Sequence, residues 1–158
     1  MSDSVASWGL REFLSLHRRT IAADLAVASN ALAGDLFTAM LLVQLAVGVR
    51  SGDKPAADAV SIWLGLDVAW DVYVGIGTLL FGMSALRHPR LGVLIGSAGV
   101  VIASALLALN LYTFPTPPAD AGLVDLGPGV GLWYLVVTAM VLGSLRWARS
   151  AAVGGKPT

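Results

Sequence analysis

Long apolar runs separated by short polar segments set the pattern of this chain. The clearest run, residues 91–114, contains no charged residue and has basic residues before it and prolines after it. A helix of about 20 mainly apolar residues is long enough to cross the hydrocarbon core of a bilayer. The same criterion predicts further spans at about residues 29–49, 61–86 and 128–147. The pattern therefore predicts an all-α protein, an integral membrane four-helix bundle that forms a single domain over residues 1–158.

A different pattern precedes the first span. Over about residues 8–20, helical spacing separates an apolar face from a charged face. The apolar face comprises Leu10, Phe13, Leu14, His17 and Ile21, and the polar face comprises Arg11, Glu12, Ser15, Arg18 and Arg19. This pattern predicts an N-terminal amphipathic interfacial helix whose basic side faces anionic lipid headgroups. The alternative is a solvated helix that packs on the bundle.

The composition agrees with a membrane environment. The 158 residues are 56% hydrophobic and 13% charged, and the mean hydropathy is +0.77, which is too apolar for a soluble domain of this size. The chain contains no cysteine, which excludes disulfides and thiolate chemistry. The net charge is zero and no basic footprint for nucleic acid is present. The lipid bilayer is therefore the expected partner, and nucleic acid is not.

The basic residues are distributed unevenly between the two sides of the predicted bundle. With four spans, both termini and the loop near residue 88 lie on one side. That side holds Arg11, Arg18, Arg19, Arg87, Arg90, Arg146, Arg149 and Lys156, whereas the other side holds Arg50 and Lys54. Because basic residues accumulate on the cytoplasmic side, we expect a multi-pass membrane protein with both termini in the cytoplasm.

Polar residues within the predicted spans supply the candidate chemistry. Asp67 and Asp71 lie one turn apart on one face of the second span, and counting 1.5 Å per residue places both near the outer surface. Asn110 reaches the same level in the third span, and two aromatic residues of the fourth span are expected there as well. The predicted outer pocket, a candidate ion or proton site, comprises Asp71, Asp67, Asn110, Trp70, Trp133 and Tyr134.

Each member of this pocket also has a purely structural interpretation. Tryptophan and tyrosine at this level are typical of the aromatic belt at a membrane surface. Asp67 is suited to capping the end of its helix or to contacting water there. Asp71 is suited to a hydrogen bond with Asn110, Trp133 or a tyrosine, as is usual for ionisable residues within spans.

Asp35 is a candidate second site in the first span. It is expected roughly 7 Å from the cytoplasmic edge if that edge lies near Asn30, which is too far from Asp71 for the two carboxyl groups to pair. An arginine that extends from the cytoplasmic side, such as Arg90 or Arg146, is a candidate to neutralise it.

Small residues at helical spacing predict close packing of the spans. Gly92 and Gly96 form a G-x-x-x-G pair, Gly75 and Gly82 lie in the second span, and such residues allow helix backbones to approach closely. This spacing is compatible with packing inside one bundle and with an interface between copies.

Enzyme chemistry is not indicated. Both histidines, His17 and His88, lie outside the predicted spans, so paired ligands for an intramembrane haem are not expected. No H-E-x-x-H, G-x-S-x-G or phosphate-loop motif occurs. We therefore predict a non-enzymatic protein without catalytic residues, a metal site or a cofactor.

One stretch carries a resemblance to a known group of proteins. The segment D-x-x-W-D-V-Y-V-G, followed by L-L-F-G-M-S-A-L-R-H-P-R-L-G and a glycine-rich span, resembles the C-terminal part of an uncharacterised bacterial multi-pass membrane protein family, known as a domain of unknown function. The resemblance covers about residues 63–149. It implies a bacterial origin, and hence a location in the bacterial inner membrane, and no specific activity.

Two functions are compatible with these features. The leading hypothesis is a small membrane protein that acts through helix packing, either with a membrane-protein partner or with itself as a homo-oligomer. The alternative is a proton- or cation-linked small transporter or sensor that uses the outer-leaflet carboxylates.

Overall fold

The computed structural model describes residues 2–50 and 57–145, which form five α-helices and no strand. The helices are α1 (Ser2–Ser15), α2 (Ile21–Arg50), α3 (Ala57–Ala85), α4 (Gly92–Thr113) and α5 (Gly127–Gly143). The all-α prediction is therefore confirmed. α2, α3 and α4 are long and apolar enough to cross a membrane, whereas α5 has 17 residues. Residues 146 and 147 of the predicted fourth span lie outside the described residues.

The helix that contains the first predicted span is longer than that span. α2 begins at Ile21, ahead of the predicted span at about residues 29–49, and contains 30 residues, a length of about 45 Å. Thr20 caps its start, because Thr20 Oγ1 accepts a hydrogen bond from the backbone N–H of Ala23 at 3.2 Å. The alanine-rich segment that follows has high helix propensity. The helix therefore continues without a break into the apolar run.

α3 lies at the centre of the bundle. It packs antiparallel between α2 and α4, while α1 packs on α2 and α5 packs on α4. We call the end that bears the connections at residues 16–20 and 86–91 the turn end. The opposite end, where α2 ends, α3 begins and the connection at residues 114–126 lies, is the loop end.

Close backbone contact fixes α4 against α3. A Cβ atom added at Gly96 would lie 2.6 Å from the backbone nitrogen of Leu86, and one added at Gly82 would lie 2.9 Å from the backbone nitrogen of Val100. Only glycine allows this approach, because any larger side chain would collide with backbone. Gly82 and Gly96 therefore serve packing inside one bundle.

α1 packs its apolar face against protein. Leu10, Phe13 and Leu14 are buried in one core cluster with residues of α2, α3 and α5, including Ala26 and Phe81. α1 ends at Ser15, so His17 and Ile21 of the predicted apolar face do not lie on this helix. Both of these residues are exposed. The packing on the bundle corresponds to the alternative interpretation of this segment.

The helices are staggered along the bundle. Asn110 contacts Asp71 near the loop end of α4, so the first ten or so residues of α3, with the end of α2, extend about 15 Å beyond α4. α5 is displaced in the opposite direction, because Gly129 packs on the side chain of Ile102, which lies in the middle of α4. This offset decides which residues of α3 and α4 the side chains of α5 can contact.

The glycine contact predicts a stability difference between two matched variants. Gly96→Ala places a methyl group against the backbone of Leu86 and should lower the free energy of unfolding by about 1–3 kcal/mol. Gly131→Ala has no atom within 4 Å of the new methyl group and should be neutral or stabilising by up to about 1 kcal/mol. Denaturant titration in mixed micelles, followed by tryptophan fluorescence, measures both. Equal effects would show that α3 and α4 are not held by this contact.

Candidate functional site

One buried carboxyl group defines the candidate site near the loop end. Asp71 of α3 is 5% exposed and Asn110 of α4 is 1% exposed. The amide nitrogen of Asn110 donates to Asp71 Oδ2 at 2.9 Å and to the backbone oxygen of Leu106 at 3.1 Å. The structure thus brings together the two central residues of the predicted outer pocket.

The other side-chain atom of Asn110 remains open. Asn110 Oδ1 is buried and has no hydrogen-bond partner among the described residues, although buried acceptors are normally paired. The site therefore offers a carboxyl group and an amide oxygen inside the protein. These are the oxygen ligands that protons and hard cations use.

Two further aspartates surround this pair. Asp67 lies one turn nearer the loop end on α3 and is partly buried. Asp125, in the connection before α5, accepts a hydrogen bond from the backbone N–H of Gly127 at 2.8 Å. Both carboxylates are close enough to Asp71 to act on it by charge repulsion. A cation at this end would therefore be attracted by three carboxyl groups rather than by one.

The aromatic residues of the predicted outer pocket separate into two places. Trp70 packs on Phe37 of α2 near the loop end, with ring centroids 5.6 Å apart. Trp133 instead donates from its indole nitrogen to the backbone oxygen of Ile95 at 2.9 Å, about 22 Å along α4 from Asn110.

Tyr134 accompanies Trp133, with ring centroids 5.0 Å apart. The structure therefore corrects the predicted placement of Trp133 and Tyr134 beside Asp71. The physical reason is the offset of α5, which begins halfway along α4.

Tyr134 belongs to a second polar cluster, which the sequence did not reveal. The amide nitrogen of Asn30 donates to Tyr134 Oη at 2.7 Å and to Ser7 Oγ at 3.1 Å, and Thr78 Oγ1 lies 3.3 Å from the same phenol oxygen. We call these four residues, from α1, α2, α3 and α5, the central cluster. It links four of the five described helices through hydrogen bonds.

A glycine makes room for the central cluster. A Cβ atom added at Gly77 would lie 2.1 Å from Asn30 Oδ1, so any side chain at this position would displace Asn30. Asn30 Oδ1 is buried without a hydrogen-bond partner among the described residues. The sequence signal for this cluster is Asn30 itself, an asparagine inside an otherwise apolar helical run.

Asp35, the predicted second site, is exposed on α2. Phe37 packs on Trp70, so Asp35 lies near the level of Asp71 rather than in the opposite leaflet. Its predicted depth was counted from an edge near Asn30, whereas α2 starts about 13 Å earlier. Asp35 and Asp71 nevertheless face different sides. The ion pairs found among the described residues do not include Asp35, and Arg146 lies outside those residues.

The turn end also carries ionisable groups that lie outside the spans. Arg11 Nε donates to Asp24 Oδ1 at 2.6 Å, and hydrogen bonds to Asp24 and Glu12 raise the pKa of the Arg11 guanidinium. His88 is 2% exposed and packs on Phe13, with ring centroids 4.8 Å apart. Burial, aided by repulsion from His17, lowers the pKa of His88 to about 4. His88 is therefore neutral near pH 7.

The donor set of the described residues limits the chemistry of the site. These residues contain no group of three or more His, Cys, Asp or Glu side chains able to hold a metal ion.

Comparison of the chain with protein-family models, with curated protein sequences and with solved structures finds no match. The resemblance drawn from residues 63–149 therefore stays a prediction, and the function has to be argued from the geometry.

The Asp71–Asn110 contact predicts unequal effects of two substitutions. Asn110→Leu removes the donor and leaves a buried carboxyl group without it, which should lower the free energy of unfolding by about 1–3 kcal/mol. Asp71→Asn keeps a side chain that can accept from Asn110 and should cost less. The same titration in mixed micelles measures both variants. If Asn110→Leu is no more damaging than Asp71→Asn, the hydrogen bond does not stabilise the bundle.

Proposed function

We propose that the chain is a multi-pass protein of the bacterial inner membrane that spans it with α2, α3, α4 and α5 and has both termini in the cytoplasm. The three long apolar helices support the membrane location. The basic residues at the turn end, among them Arg18, Arg87 and Arg90, support the orientation. α1 then lies at the cytoplasmic surface.

Within this arrangement, the proposed function is association in the membrane through helix packing, without catalysis. The surface involved is the exposed side of α2, which we call the α2 seam. It comprises Ile21, Leu25, Ala28, Leu32, Asp35, Thr38, Leu42 and Leu45, all exposed. Their spacing of three and four residues is that of a seam between two paired helices.

The exposed carboxyl group of Asp35 is the observation that carries this proposal. Exposed leucines flank it on both sides, with Leu32 48% and Leu42 61% exposed, so it lies within an apolar surface rather than at its edge. A charged side chain in hydrocarbon costs about 2.5–3.5 kcal/mol on insertion scales. Contact with another helix removes that cost by replacing lipid with a hydrogen-bonding partner.

A second copy of the chain fits this seam. A two-fold symmetric pair brings the same residues of both copies together, so two Asp35 carboxyl groups would meet and share a proton, as adjacent carboxyl groups do. Space for close approach exists beside Asp35, because a Cβ atom added at Gly34 would have no atom within 4 Å. The leucines would pack on both sides of this contact.

Cysteine cross-linking in lipid vesicles tests this association, because the chain contains no cysteine of its own. Leu42→Cys lies on the α2 seam and should form a disulfide between copies. Leu94→Cys, on α4, is the matched control, since Leu94 is 80% exposed but lies on another helix. Adding Asp35→Ala to the Leu42→Cys variant should reduce the cross-linked fraction about tenfold, because hydrogen bonds between helices in lipid are worth about 1–2 kcal/mol.

Two results would contradict the proposal. Equal cross-linking at positions 42 and 94 would indicate random collision. Cross-linking at position 42 that does not depend on Asp35 would indicate that the carboxyl group is not in the interface. Dilution with excess lipid separates specific pairing from crowding, because random contacts fall in proportion to the protein density.

A second function, proton- or cation-linked transport or sensing, is favoured by the Asp71–Asn110 pair. The pair is buried, and Asn110 Oδ1 has no partner among the described residues. Asp67 and Asp125 would attract a positive charge toward it. Ionisable residues inside membrane helices commonly mark the paths of protons and ions.

Ion flux into vesicles that contain the purified protein tests this second function. Asp71→Asn should reduce proton- or cation-dependent flux by at least about tenfold, as expected when the binding carboxylate is lost. Asp58→Asn, at the exposed start of α3, should leave the flux unchanged. Flux that survives Asp71→Asn would exclude the carboxylate mechanism, and no flux in the unmodified protein would leave helix packing as the function.

A further inference from the structure

A cavity of about 350 Å³ lies at the turn end, between the connection from α1 to α2 and the connection from α3 to α4. Its volume falls within the range of about 300–1,000 Å³ found for ligand sites. Arg18 lines it from the first connection and Arg87 lines it from the second, together with the imidazoles of His17 and His88. None of the described residues that line it is acidic.

The two arginines that line this cavity differ from their neighbours. Arg11 and Arg19 both form ion pairs with Asp24. The ion pairs found among the described residues include neither Arg18 nor Arg87, and both residues are exposed. Two arginines without an acidic partner among the described residues therefore line one cavity. Guanidinium groups bind phosphate well because their N–H groups form a planar fork.

A chain of hydroxyl groups holds the two sides of the cavity together. Ser84 Oγ donates to the backbone oxygen of Leu80 at 2.9 Å, so the proton between Thr20 and Ser84, whose oxygens are 3.2 Å apart, comes from Thr20. This bond joins the start of α2 to the end of α3. The positions of the two arginine-bearing connections are therefore fixed relative to each other.

The remaining walls of the cavity are apolar. They include Leu14, Leu86 and Met83, and Met83 is 51% exposed on the side of α3. The cavity is thus lined by basic and apolar residues, and Met83 extends its apolar lining to an exposed apolar face of α3. An inorganic anion would gain nothing from that face, whereas the acyl chain of a lipid would pack on it.

We propose that this cavity binds the phosphate-bearing headgroup of an anionic phospholipid. Arg18 and Arg87 bind the phosphate oxygens, and Met83 contacts the first part of an acyl chain. Basic pockets at the cytoplasmic ends of membrane helices suit such headgroups. The site rests on the membrane location proposed above, but on neither the α2 seam nor the Asp71 site, so its failure would leave those proposals unaffected.

Thermal unfolding of the full chain in a neutral detergent tests the site, with phosphatidylglycerol, phosphatidylcholine and inorganic phosphate titrated separately. The concentration dependence of Tm gives an apparent Kd for each. Phosphatidylglycerol should bind more tightly than phosphatidylcholine. Arg18→Gln and Arg87→Gln should each weaken phosphatidylglycerol binding about fivefold, the loss expected for one arginine near an anionic headgroup.

Arg19→Gln is the matched control. It removes the same charge one position away, from a side chain that does not line the cavity, and should change the Kd by less than about twofold, since the loss is limited to screened surface charge. Equal weakening by Arg19→Gln, or equal binding of both lipids, would overturn the proposal. Inorganic phosphate that raises Tm as much as phosphatidylglycerol at the same concentration, with the same dependence on Arg18 and Arg87, would overturn the assignment to a lipid.

Discussion

The close backbone contact between α3 and α4 sets the register between these two helices, and the polar contacts between them depend on that register. At Gly82 and Gly96 the two helices approach so closely that neither position has room for a Cβ atom. Helices packed at this distance cannot slide by a residue without a collision, because protein interiors are close-packed. The register carries along the helices and places Asn110 opposite Asp71 at 2.9 Å. A polar pair near the loop end is thus positioned by a contact of glycines near the turn end.

The buried polar residues of this bundle are concentrated at joints between helices. The Asp71–Asn110 pair joins α3 to α4, and the central cluster joins α1, α2, α3 and α5. In hydrocarbon such groups have no water to bond, so each must find a partner inside the protein. Asp35 departs from this requirement. It is an exposed polar side chain on the outer surface of α2, and exposed apolar residues lie before and after it along the helix. Buried polar groups join helices within the bundle, and the proposed pairing through α2 assigns the exposed one to a contact beyond it.

Much of this architecture could be predicted from the sequence, and the failures concern how the helices are placed relative to one another. Helix type and the long apolar helices followed from hydrophobic runs. The contact of Asn110 with Asp71 followed from counting residues along two helices that are joined by the turn near His88. Positions along the bundle were mispredicted where the start of a helix was misplaced. Asp35 was placed too near the turn end because the alanine-rich start of α2 extends the helix ahead of Asn30. Trp133 and Tyr134 were placed too near the loop end because no sequence rule states where α5 begins relative to α4. The central cluster depends on side chains from four helices, and single-chain periodicity does not report such convergence.

The stagger of the helices gives the protein unequal hydrophobic thickness around its circumference. α2 measures about 45 Å and α5 about 26 Å, on opposite sides of the pair formed by α3 and α4. With α5 crossing the membrane as proposed, a bilayer of uniform thickness would not match both lengths. It would thin beside α5, and beside α2 either the bilayer would thicken or the helix would tilt. Pairing of two α2 helices would withdraw the longest apolar surface from lipid and reduce this mismatch. Acyl-chain length would then shift the equilibrium between single and paired copies, as a ligand that binds one state does. Shorter acyl chains make a thinner membrane, in which the mismatch of α2 is larger, and would therefore favour the paired state.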